Sequence, residues 1–114
     1  MTSYSIQQHQ TIQVVKVESL LNELNNKKIL NDVESYIEKG FTKFVVDLSD
    51  LNFMNSIGLN FLITMMKNSK KSGGKLTVAN ANDQIIGLLE ITKLKQLFNL
   101  KPSVEIALQE FTAN

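Results

Sequence analysis

Ser56 is the side chain in this sequence best placed for chemistry. It follows Asp47-Leu48-Ser49-Asp50-Leu51-Asn52-Phe53-Met54-Asn55, where an apolar strand and a loop hand over to a helix. A serine at such a junction ordinarily caps the helix, its oxygen accepting a backbone N–H. The same hydroxyl is a phosphoryl acceptor, and a phosphate there would face the positive end of the helix. Gly58 keeps the first turn sterically open. The residues alone favour the cap. Asp47 and Asp50 form a carboxylate pair of the kind that does acid–base work or holds magnesium, but no partner base or third ligand accompanies them. They read as strand-ending and turn-capping groups. His9 stands among Gln7, Gln8 and Gln10 and reads as a solvent-facing strand residue. Gly73-Gly74-Lys75-Leu76-Thr77 resembles part of a phosphate loop, yet its glycines close a helix and precede a strand, the reverse of what phosphate binding requires.

The remaining composition excludes much else. The 114 residues suit one domain, 1–114, and 43% hydrophobic with 20% charged residues is ordinary globular composition. Twelve basic and eleven acidic residues leave a net charge of +1, too balanced to grip a nucleic-acid backbone by charge. The absence of cysteine excludes disulfides and thiolate chemistry, and one histidine excludes histidine-rich zinc sites. No cofactor or metal is expected. Met1–Gln10 lacks the basic start and apolar run of a signal peptide. No stretch approaches the ~20 apolar residues of a membrane helix. The expected compartment is the cytoplasm, with no membrane insertion.

The elements that must position Ser56 follow from periodicity. Tyr4 and Ile6 alternate with polar residues as in a half-buried edge strand, and Ile12 to Val17 is a β-branched second strand completing a hairpin. Ile29, Leu30, Val33 and Ile37 recur at helical spacing, with Gly40 as the stop signal. Phe44 to Leu48 reads as a strand covered on both faces. A helix opens at Ser56, with Leu59, Leu62, Ile63 and Met66 as its apolar stripe and Gly73-Gly74 as its end. Lys75–Ala79 is the next strand. Asn82 or Asp83 caps a helix carrying Ile85, Ile86, Leu88 and Leu89. Leu97–Leu100 is a short last strand, and Pro102-Ser103 starts a terminal helix. The order β-β-α-β-α-β-α-β-α predicts an α/β fold, a mixed and mostly parallel sheet of about 4–5 strands packed with about four helices.

Val45 to Leu59, with Asp47-Leu48-Ser49 and then Asn55-Ser56-Ile57-Gly58-Leu59, resembles the signature of STAS domains of the anti-sigma-factor antagonist type. That signature is an apolar strand, Asp-Leu-Ser, a short apolar loop, and Asp-Ser-(Ser/Thr)-Gly-Leu opening a helix. Gly73-Gly74, Leu88-Leu89…Leu94 and Ser103…Ala107-Leu108 also fall where the family has similar residues, so the resemblance spans nearly the whole chain. It implies a STAS-like fold and a binding switch rather than an enzyme. Ser56 would be the serine phosphorylated by a partner kinase. Unphosphorylated, the domain would bind an anti-sigma factor that is also a serine kinase and so release a sigma factor; a serine phosphatase would reset it. Two departures concern the acids. Asn55 replaces the family's aspartate, and Ser19-Leu20-Leu21-Asn22 replaces a Gly-x-Leu-Asp run; Ile57 replaces a Ser/Thr. The implied partner surface comprises Asn22, Asn52, Asn55, Ser56, Ile57, Gly58 and Leu59. Phe61 and Met65, partly off the apolar stripe, either pack in the core or add an exposed apolar patch to that surface. STAS-like domains also serve as subunits of lipid-transport ATPase complexes, which is the alternative role. A nucleotide-processing enzyme is disfavoured because no phosphate loop, base or metal cluster is present.

Overall fold

The computed structural model describes residues 4–112. Its elements run β1 (Tyr4–His9), β2 (Ile12–Val17), α1 (Glu23–Glu38), β3 (Lys43–Asp47), α2 (Ser56–Lys71), β4 (Lys75–Ala79), α3 (Asp83–Ile91), a 3-10 turn (Lys95–Leu97), β5 (Asn99–Lys101) and α4 (Val104–Thr112). The five strands lie in the order β1-β2-β3-β4-β5. β1 pairs antiparallel with β2 through a hairpin whose turn residue Gln10 has φ +57°, and every other pair is parallel. This is the α/β architecture expected from alternating strands and helices.

Strand alternation sends side chains to two cores. Val15, Val17, Phe44 and Val46 meet Ile29 and Val33 of α1, Leu62 and Met65 of α2, and Ile85 and Leu89 of α3. On the opposite face Ile12, Val14, Val45 and Ala79 lie under Ala107 and Phe111 of α4. β3 is buried on both faces, which explains its unbroken apolar run Phe44-Val45-Val46. Each large side chain sealed in this way contributes about 1.5–3 kcal/mol relative to exposure.

Two boundaries differ from the expectation. α1 begins at Glu23, well before the periodic residues starting at Ile29, because Asn22 caps it and its first turns are mostly polar. The last strand is Asn99–Lys101 rather than Leu97–Leu100, since Lys95–Leu97 forms the 3-10 turn. The glycine pair behaves as a helix end and turn, with Gly73 at φ +81°.

Glu110 ties α4 to the sheet. Its Oε2 lies 2.7 Å from Lys101 Nζ, its Oε1 lies 3.4 Å from Lys75 Nζ, and the Asn99 amide donates to it. The hydrogen bond from Lys101 holds its carboxyl below the usual carboxylate range, against the opposing effect of burial. A depressed carboxyl stabilises the fold above its unfolded pKa and loses that contribution as pH falls through its folded pKa. Glu110→Gln should therefore cost up to about 1 kcal/mol at neutral pH. Urea titrations should show the gap between wild type and variant closing as the medium becomes acidic.

Candidate functional site

The site is built where β3 ends. Asp47 Oδ1 accepts from the backbone N–H of Ser49 at 3.0 Å and from Asn80 Nδ2 at 2.9 Å. This is the strand-ending role expected of it, while Asp50 pairs with Lys16 at 3.4 Å. Leu51 and Met54 are buried and anchor the loop between them, leaving Asn52 and Phe53 outside. Side-chain amides at the start of α3 hold the loop from the other side. Asn82 Nδ2 donates to the carbonyls of Leu51 and Asn52 at 3.3 and 3.1 Å. Gln84 grips the backbone of Met54, accepting from its N–H at 3.3 Å and donating to its carbonyl at 3.5 Å. Asn82 also caps α3, its Oδ1 accepting from Ile85 N–H at 3.0 Å. The sequence signalled that cap but not the reach of either amide across to the loop.

The held loop delivers Asn55 to the mouth of α2. Its backbone is extended, and its Oδ1 accepts from the N–H groups of Ile57 at 3.0 Å and Gly58 at 3.4 Å. Asn55, and not Ser56, is therefore the cap of α2, which corrects the reading favoured by the residues alone. The reason is positional: a capping oxygen must come from the last non-helical residue, and Ser56 already lies in the first turn. Ser56 is exposed, and among the described residues its hydroxyl makes no hydrogen bond. A free hydroxyl thus stands at the positive end of a 16-residue helix.

The neighbouring residues divide into surface and support. Asn22 caps α1, accepting from Asn25 N–H at 2.9 Å, and is exposed. Gly58 is buried; a Cβ there would come within 2.4 Å of Met54 Cγ and 3.2 Å of Leu20 Cβ. The lead-in to α1 and the first turn of α2 therefore lie side by side. A groove between the two helices is lined by Glu23, Asn26, Lys27 and Leu30 on one side and Ile57, Asn60, Phe61 and Thr64 on the other. Leu59 is turned inward at 8% exposed. Phe61 and Met65 are 2% and 0% exposed, so of the two readings core packing holds, and their placement on an exposed partner surface is corrected. Both fall on the helix face that meets the sheet and α1, a stripe wider than the one marked by Leu59, Leu62, Ile63 and Met66. Apolar surface exists here instead at Leu21, Leu24 and Phe53, which are 45%, 80% and 53% exposed. Their exposure has no periodic signature in the sequence, where Leu21 and Leu24 simply flank Asn22 and Glu23. His9 is solvent-exposed and distant in topology, on β1. Among the described residues no helix is long and apolar enough to cross a membrane.

Residues 3–107 match the family pattern of the STAS domain. The chain belongs to the STAS domain family. It is 34% identical over 62 residues to the anti-sigma-B factor antagonist of Bacillus subtilis, covering 54% of this chain and 57% of that protein. The crystal structure of a Thermotoga maritima protein named as a candidate anti-sigma factor antagonist superposes with a TM-score of 0.84 at 20% identity, covering 94% of this chain and 92% of the other. The anti-sigma factor antagonist SpoIIAA in its unphosphorylated form superposes with a TM-score of 0.81 at 15% identity, covering 97% of both chains. The phosphorylated form of SpoIIAA, from Bacillus, gives 0.74 over 95% of this chain and 98% of the other.

Within this STAS domain the two asparagines marked by the resemblance have a physical role. Asn22 and Asn55 both serve as helix caps, a role in which asparagine is as effective as aspartate. Both caps are therefore uncharged.

Asn55→Ala should destabilise the domain by about 1 kcal/mol through loss of the cap. Ser56→Ala should stay within about 0.5 kcal/mol of wild type, as for a surface change that breaks no bond. Urea unfolding of the two variants checks this; an equal loss at Ser56 would mean that its hydroxyl shares the capping.

Proposed function

We propose that residues 1–114 form one STAS domain acting as an anti-sigma-factor antagonist, switched by phosphorylation of Ser56. Its partner is an anti-sigma factor that is also a serine kinase, and a serine phosphatase restores the binding form. The compartment is the cytoplasm. One observation carries the switch: Ser56 presents an exposed hydroxyl, free of hydrogen bonds among the described residues, at the start of α2. The kinship with anti-sigma factor antagonists supports the general role.

The energetics favour a blocking mechanism. A helix N-terminus stabilises a partly buried anion by at most ~2 kcal/mol, so the free domain tolerates phosphate at Ser56 without rearrangement. Phosphate adds roughly −1.5 to −2 charges near neutral pH. Covering such a charge with a partner surface that offers no matched cation costs several kcal/mol. With each ~1.4 kcal/mol worth tenfold, affinity falls by about a hundredfold or more. The asparagines at 22 and 55 soften the repulsion a phosphoserine would otherwise meet within its own domain. The partner would rest on Asn52, Asn55 and the Ser56–Ile57 turn, with the exposed apolar groups Phe53 and Leu24 as neighbouring contacts. Gly58 and Leu59 act from beneath, shaping the turn.

Native pull-down with wild type, Ser56→Ala and Ser56→Asp, read by mass spectrometry, tests this. Wild type and Ser56→Ala should retain a serine-kinase anti-sigma factor and Ser56→Asp should lose it. Equal recovery by all three would refute the switch, and recovery of a transport ATPase subunit instead would assign the domain to transport.

A further inference from the structure

The two edges of the sheet are treated differently. β5 is three residues long, ends in Lys101 held by Glu110, and is followed by Pro102, the single proline of the chain. Short length, a charge and a proline are the usual means of keeping a sheet edge from pairing with another chain. β1 has none of them. It spans six residues, Tyr-Ser-Ile-Gln-Gln-His, without lysine, acid or proline. Its register with β2 is uninterrupted from Tyr4↔Val17 to His9↔Ile12, so no bulge twists it away. As the first strand of the sheet, it has no strand on its outer side among the described residues.

We infer that β1 pairs antiparallel with β1 of a second copy, making a twofold dimer with a continuous ten-stranded sheet. Pairing of β1 with β5 of another copy would run on into an open filament, and Lys101 and Pro102 obstruct it; β1 with β1 closes after two copies. A twofold axis perpendicular to the sheet through Ile6 keeps matching faces on the same side. It sets Ile6 opposite Ile6, Ser5 opposite Gln7 and Tyr4 opposite Gln8, with no charged residue among the pairs. Ile6 is half-buried against the main core, and pairing completes its burial. Ser5 and Gln7 line the side of the sheet toward α4, beside Val14 and Lys16, where uncharged hydrogen-bonding groups meet their own kind. Five paired residues bury less than the ~1,600 Å² of a standard interface, so the dimer is weak and concentration-dependent. This inference is independent of Ser56.

Sedimentation equilibrium of the full chain tests it, with Gln7→Lys as the discriminating variant. Gln7 is exposed, so the change spares the fold, which circular dichroism verifies. The pairing brings the two lysines within about 7–8 Å across the axis. Wild type should double in apparent mass as concentration rises. Gln7→Lys should stay monomeric over the same range, and mixing it with Gln7→Glu should restore the doubled mass. A wild type that remains monomeric to about 1 mM, the regime of the weakest specific contacts, would overturn the inference. So would a dimer that persists unchanged in Gln7→Lys, since association would then use another surface.

Discussion

The geometry around Ser56 depends on a single side-chain oxygen. Asn55 Oδ1 satisfies two of the N–H groups at the mouth of α2, and in doing so it fixes where the helix begins. Were the cap one residue later, Ser56 would spend its hydroxyl on the backbone. With the cap at Asn55, the serine occupies the first helical position, exposed, with its oxygen uncommitted among the described residues. The cap is in turn held in place by the loop before it. Buried Leu51 and Met54 anchor that loop from below, and Asn82 and Gln84 hold its backbone from α3. Asp47 and Asn80 join the ends of β3 and β4 beneath them. A small set of side-chain amides, with the Asp47 carboxylate beneath them, therefore positions one hydroxyl.

That arrangement suits a switch operating by charge rather than by refolding. A helix start favours an anion and the nearby caps are uncharged, so the proposed phosphate would call for no movement of the loop. The consequence would be felt by whatever covers the surface. The packing agrees with this division of labour. Phe61, Met65 and Leu59 face inward and keep α2 rigid against the sheet, whereas Phe53, Leu24 and Leu21 lie outside around the cap residues.

Much of the fold was legible because it rests on local periodicity. The alternation in Tyr4–Ile6, the β-branched run Ile12–Val17 and the unbroken Phe44–Val46 each report directly on which faces are buried. The start of α1 was not legible, because a polar first turn held by a cap carries no periodic signal. The strand-to-helix junction was legible in its placement and illegible in its detail. Residue spacing located the strand-to-helix junction and Ser56 within it. Choosing between Asn55 and Ser56 as the cap needed backbone geometry, as adjacent residues share the same propensity. Phe61 and Met65 lie partly off the sequence stripe yet are buried, because a helix wedged between a sheet and another helix buries more than a narrow stripe. The grip of Gln84 on Met54 spans 30 residues and has no local signature at all.

The central claim is that the Ser56 hydroxyl gates a protein contact by acquiring charge. The most direct measurement is calorimetric titration of the partner that the unmodified domain retains in pull-down into this domain carrying authentic phosphoserine at position 56, beside the unmodified protein. The account predicts a fall in affinity of about a hundredfold with the fold intact. Equal affinity for the two forms would contradict it.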